Sequence, residues 1–111
     1  MIYEIAEINV KPGTHAAFEA AVREAVPLFR EAKGCVSMRI DRTIERPDTY
    51  RLLVGWATLE NHTVDFRGSE NFQAWRTLVG GYFAEPPKVE HVETVIDGGR
   101  PLAVFMVTLL G

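Results

Sequence analysis

The stretch "CVSMRIDRTIERPDTYRLLVGWA" (residues 35–57) decides how the rest of the chain is read. Two β-rich runs, 35–44 and 49–57, flank Glu45-Arg46-Pro47-Asp48. A Pro-Asp pair between such runs is turn chemistry, so the segment reads as an antiparallel hairpin with a loop of about four residues. The second run does not alternate as a half-exposed strand should. Tyr50, Leu52, Val54 and Trp56 take one face, yet Leu53 and Ala57 make the other apolar as well. A strand that is apolar on both sides belongs inside a sheet whose two faces are both covered.

Upstream, "IYEIAEINV" (2–10) is another such strand, with Ile2, Ala6, Ile8 and Val10 on one side and Tyr3 and Ile5 on the other. Lys11-Pro12-Gly13 stops it. Thr14 is then placed to cap a helix whose buried face is Phe18, Ala21, Val22, Ala25, Leu28, Phe29 and Ala32, at three- and four-residue steps. Pro27 lies inside that pattern and predicts a kink or break, and Gly34 supplies a left-handed end. Downstream of the hairpin, Thr58 caps a short helix carrying Leu59, His62 and Phe66 on one inward stripe. Gly68 breaks it, and Ser69 caps a second piece with Phe72, Trp75 and Val79 facing in, ended by Gly80-Gly81. Pro86-Pro87 introduces a last strand, "KVEHVETVI" (88–96), and Asp97-Gly98-Gly99 separates the apolar tail "PLAVFMVTLLG" (101–111).

The order is strand, helix, strand, strand, helix, strand. That is the ferredoxin-like α+β arrangement βαββαβ, a four-stranded antiparallel sheet with two helices on one face. Two helices cover only one face, so the apolar second face predicts a homodimer joined through its sheets. The expected division is a domain over 1–96 and an apolar extension over 97–111 that packs on the domain or its partner.

At 111 residues, 47% hydrophobic and 24% charged, the chain has the makings of one soluble domain. A net charge of -3 with scattered basic residues argues against nucleic acid as a partner. The eleven-residue tail is well short of the ~20 residues of a membrane helix. The opening "MIYEIAEINV" lacks the basic, apolar pattern of a signal peptide, and Cys35 is a lone cysteine, which together predict a cytoplasmic protein. Cys35 itself reads as a small buried residue.

His62 is the first candidate for chemistry. Its stripe turns it toward the sheet, and Asp65, three residues on, is placed to orient its ring. It reads either as a pocket-lining base able to deprotonate a phenol or as a core histidine bonded to a carbonyl. Phe66, Trp75 and Phe83 are candidate walls of an apolar pocket. His91, on one face of the last strand with Val89, Glu93 and Val95, meets either that pocket or the dimer contact. Arg67 and Glu70 read as surface charges. His15, His62 and His91 have no metal-ligand spacing, so no metal is expected. Neither Gly80-Gly81 nor Gly98-Gly99 stands between a strand and a helix, which leaves no phosphate loop for flavin or nicotinamide.

Taken in order, "VKPG" (10–13), "KGCVSMRIDR" (33–42), the strand ending at Trp56, the helix with His62 and "SENFQAW" (69–75) resemble the antibiotic biosynthesis monooxygenase (ABM) family of dimeric α+β-barrel proteins. The resemblance spans roughly residues 1–96. It implies a homodimer with a small apolar pocket between sheet and helices, and for some members cofactor-free oxidation of polycyclic phenols by O₂. Other members are stress-associated or quorum-signal proteins, so a non-catalytic dimer that binds a small molecule stays open as the alternative. The haem-degrading branch uses an asparagine, a tryptophan and a histidine where this chain aligns Ala6, Phe66 or Asp65, and Arg76. Haem is therefore not expected, and the reading is of an enzyme without a cofactor.

Overall fold

The computed structural model describes residues 1–100. Strands β1 (Ile2–Asn9), β2 (Cys35–Arg42), β3 (Thr49–Trp56) and β4 (Lys88–Val92) form one antiparallel sheet in the order β2-β3-β1-β4. Helices α1 (His15–Arg30) and α2 (Glu70–Val79) pack on one of its faces. This is the ferredoxin-like α+β fold the element order predicts. The strands predicted to reach Val10, Ile44, Ala57 and Ile96 end earlier, and β4 is the most shortened.

The core lies between that face and the helices. Ile8, Leu52, Val54 and Trp56 from the sheet meet Phe18, Val22 and Phe29 of α1, and all are almost wholly buried. Each such side chain contributes about 1.5–3 kcal/mol by leaving water. Phe29 makes an edge contact with Trp75 of α2, with ring centroids 5.0 Å apart, and lies 4.9 Å from Phe66. These rings hold α2 to α1.

Two features of α1 differ from the sequence expectation. The helix runs unbroken through Pro27, because a proline near the end of a helix forfeits one hydrogen bond while Phe29 beyond it stays anchored in the core. Thr14 does not cap it. Its hydroxyl donates to the Lys11 carbonyl at 2.5 Å and so closes the preceding turn instead.

The opposite face of the sheet carries Tyr3 and Ile5 from β1, Leu53 from β3 and Val92 from β4, paired across strands as Ile5–Leu53 and Tyr3–Val92. The first three are half-buried and Val92 is exposed. Charged groups surround them, among them Arg39, Asp41, Arg51, Glu7 and Glu90. No described element covers this face. The apolar tail, 101–111, lies outside the described residues.

Candidate functional site

The site begins with a backbone irregularity. Residues Asn61–Phe66 form a π-helical turn, in which the Arg67 N–H donates to the His62 carbonyl five residues back. Such turns are rare and recur at functional sites. Its start is held by a reciprocal pair: Asn61 N–H donates to Thr58 Oγ1, and Thr58 N–H donates to Asn61 Oδ1. Thr58 is thus the cap the sequence predicts. Gly34, with φ of +77°, lets the chain pass directly beneath Asn61, where a Cβ would stand 2.1 Å from Asn61 Oδ1. The end of the turn is secured by Ser69, whose hydroxyl donates to the Phe66 carbonyl and accepts from the Phe72 N–H as cap of α2.

The wide turn points His62 and Phe66 inward and leaves Leu59 largely outside. His62 is almost wholly buried and stacks on Trp56, with ring planes 14° apart. Both of its nitrogens are engaged. Nδ1 lies 2.7 Å from Nε2 of His91 on β4, and Nε2 lies 3.3 Å from Oε1 of Glu4 on β1. The same Oε1 accepts the indole N–H of Trp56 at 3.0 Å. Glu4 and His91 face each other across the β1–β4 pairing, so the sheet register itself brings the three groups together.

The contact between the two imidazoles describes a shared proton. Two histidine nitrogens on one tetrahedral metal at ~2.1 Å would stand roughly 3.4 Å apart, well beyond the 2.7 Å seen here. Among the described residues, no group of three or more metal-ligating side chains is disposed to hold an ion. One shared proton joins the two histidines, between His62 Nδ1 and His91 Nε2, while His62 Nε2 faces Glu4 Oε1 at 3.3 Å.

Burial governs the acid–base balance. It pushes the His62 imidazole down to about 4, with the Arg67 guanidinium and His91 adding to the fall, so His62 is neutral at pH 7. Burial pushes Glu4 above the usual carboxylate range, opposed by the Trp56 N–H and then by Arg67. His91 is lowered by burial and by Arg67.

A cavity of about 840 Å³ opens beside this group, within the range of small-molecule sites. Glu4 and His62 stand in its wall with Ala6, Ile8 and Leu52 from the sheet. Phe72 and Trp75 line it from α2, and Phe83 and Val89 from beyond. Arg67 and Arg76 also border it, the latter 5.9 Å above the Phe72 ring.

The expected site residues divide accordingly. His62, Trp75 and Phe83 line the cavity, and Phe83 is tied to the end of β1 by a bridge to Val10. His91 is on the cavity side of the sheet but meets the site through His62. Phe66, expected as a wall, stands one layer back, its ring packed among Phe29, Trp56 and Phe72. Phe72, read as core, takes the wall instead. Asp65 does not orient His62. It accepts from the Asn61 side chain at 3.0 Å, because the π turn carries it off the histidine's stripe. Glu4 does the orienting, and parity along β1 was the signal for it: Glu4 falls on the face of Ile2, Ala6 and Ile8. Arg67 is exposed as expected, yet its charge reaches the site.

Comparison with known proteins identifies the family. The family model for antibiotic biosynthesis monooxygenase matches residues 1–78, and the chain belongs to that family. It is 38% identical over 95 residues to the uncharacterized protein YczJ of Bacillus subtilis, which covers 86% of this chain and all of that one. A crystal structure bearing the family name, from Bordetella bronchiseptica, is 54% identical, with a TM-score of 0.84 over 86% of this chain and 97% of its own. SnoaB, a cofactor-independent oxygenase from Streptomyces nogalater, shares the fold at a TM-score of 0.76 and 13% identity, over 89% of this chain and 97% of its own.

Proposed function

We propose that the chain is a cofactor-independent monooxygenase that oxidises a small aromatic molecule in the cavity between sheet and helices. The observation that carries this reading is the buried Glu4–His62 pair, backed by His91, in the wall of a cavity that Ala6, Ile8, Leu52, Phe72, Trp75 and Phe83 also line. Family membership supports it. In such chemistry a hydroxylated aromatic with an acidic C–H or O–H loses a proton to the site, and the resulting anion reduces O₂ directly. One oxygen atom enters the product as a carbonyl and the other leaves as water, taking up the two hydrogens of the oxidised carbon. The protein's part is a dry pocket, a proton acceptor and a fixed orientation. The working unit in this reading is a homodimer in the cytoplasm, joined through the face that carries Ile5 and Leu53.

Oxygen consumption with a panel of anthrones and hydroquinones tests the proposal. Wild-type protein is expected to consume O₂, and His62→Ala to lose the activity by about 100-fold, the scale of a disrupted acid–base group. Wild-type protein that binds the panel but consumes no oxygen would replace this reading with that of a non-catalytic, small-molecule-binding or stress-associated dimer.

A further inference from the structure

We propose that Glu4 is the proton acceptor of this site, its Oε2 accepting the proton of an aromatic hydroxyl. The inference rests on the cavity being the ligand site and assigns the reacting atom within it.

Three observations lead there. The first is that His62 is set against Glu4, its Nδ1 bonded to His91 Nε2 at 2.7 Å and its Nε2 standing 3.3 Å from Glu4 Oε1. The second is that both groups approaching Glu4, the Trp56 indole by a hydrogen bond and the His62 imidazole by a 3.3 Å contact, converge on Oε1. Oε2 takes no hydrogen bond from the described residues. No fully buried side-chain oxygen or nitrogen among them lacks a partner, so Oε2 reaches the surface of the cavity that Glu4 lines. The third is the surroundings. Ala6, Ile8, Leu52, Phe72 and Phe83 provide an apolar bed, and an aromatic body lying on it presents its hydroxyl to the carboxylate.

The step balances simply. The ligand O–H bond breaks, its electron pair stays on the ligand oxygen, and the proton passes to Glu4 Oε2. The Arg67 guanidinium, close enough to favour ionised Glu4, favours the new phenolate in turn. The titratable and charged groups around Glu4 are His62 from the π turn, His91 from β4, Cys35 from β2 and Arg67 after the turn. Arg76 from α2 and Glu85 beyond it share the cavity.

Calorimetric binding of 2-naphthol and of naphthalene, the same body without the hydroxyl, tests the assignment without requiring turnover. The wild type is expected to prefer 2-naphthol by about 10-fold or more, the worth of a hydrogen bond to a charged acceptor. In Glu4→Gln the Trp56 donor holds the amide oxygen, so the cavity meets an NH₂ group. The preference should then fall about fivefold or more, with naphthalene affinity kept within about twofold. A wild type without the preference, including one that binds neither probe, overturns the assignment, as does a preference that survives in Glu4→Gln. Should that variant lose naphthalene too, the wild type decides. Its preference must fall between about pH 8 and about pH 4 as Glu4 takes up a proton, and a flat profile overturns the assignment. Oxygen uptake separates this inference from the wider one. Turnover by the wild type that Glu4→Gln leaves within about threefold refutes Glu4 and spares the monooxygenase, since a lost base costs ~100-fold or more. A wild type with no turnover but a Glu4-dependent preference does the reverse.

Discussion

A neutral imidazole wedged between a carboxylate and a second imidazole ties the stability of the chain to pH. In the unfolded chain His62 takes a proton near 6.5, whereas in the folded chain it resists until about 4. Between those values the unfolded state binds more protons, so stability falls as pH falls. At ~1.4 kcal/mol per unit, His62 withdraws at most ~3 kcal/mol by pH 4. His91 acts in the same direction. Glu4, raised when folded, acts in the opposite one above pH 4.5 and offsets part of the loss. Urea titrations from pH 7 to 4 should therefore show the wild type losing more stability than His62→Gln, and parallel curves would contradict the assignment. Trp56→Phe should cost about 1–3 kcal/mol, since it leaves buried Glu4 short of a donor, as read by the urea midpoint. Of this group, His62 was legible as an inward histidine because its helical stripe marks it. Glu4 was passed over although strand parity places it with Ala6 and Ile8. A lone acid on an apolar face signals little until its partners, 52 and more residues away, are known.

Among the elements, the π turn does the positioning. Its sequence, Asn61–Phe66, has the composition of any short amphipathic helix, and nothing local separates i→i+5 from i→i+4 bonding. The extra width comes from the bonds Asn61 makes to Thr58 and Asp65, and from the packing of Phe66 in the core. Gly34 makes room for that arrangement. Gly34→Ala should destabilise the fold by ~1–3 kcal/mol from backbone strain alone, with the clash against Asn61 added, as measured by thermal unfolding. Ser69→Ala should cost about 1 kcal/mol through the lost cap of α2. Both caps flanking the site, Thr58 and Ser69, were legible because capping depends on a few adjacent residues. Thr14 failed as a cap because its hydroxyl had a nearer partner in the turn before it. Pro27 failed as a break because the core contacts of Phe29 outweigh one missing bond.

At the scale of the molecule, one face of the sheet is left open by the described elements. Its Tyr3, Ile5, Leu53 and Val92 cluster inside a charged margin, an apolar centre with a polar rim as in protein interfaces. In the homodimer reading, light scattering should give about twice the 12.4 kDa chain mass, and Leu53→Arg should return a monomer. A wild type measured at the single-chain mass would refute that reading. Ending the chain before residue 101 should leave a cooperative unfolding transition, because fifteen buried residues already form one hydrophobic cluster within the described residues, and aggregation of the shortened chain would contradict this. Element order, strand runs, the Pro-Asp hairpin and most of the core were readable in the chain. They follow from periodicities of two and of about 3.6 residues and from turn chemistry, which neighbouring residues settle among themselves. The meeting of Glu4, His62 and His91, the retreat of Phe66 behind Phe72 and the release of Asp65 were settled only in three dimensions. They depend on which residue of β1 stands opposite which residue of β4, and on a turn whose pitch is imposed by packing, neither of which any local stretch encodes.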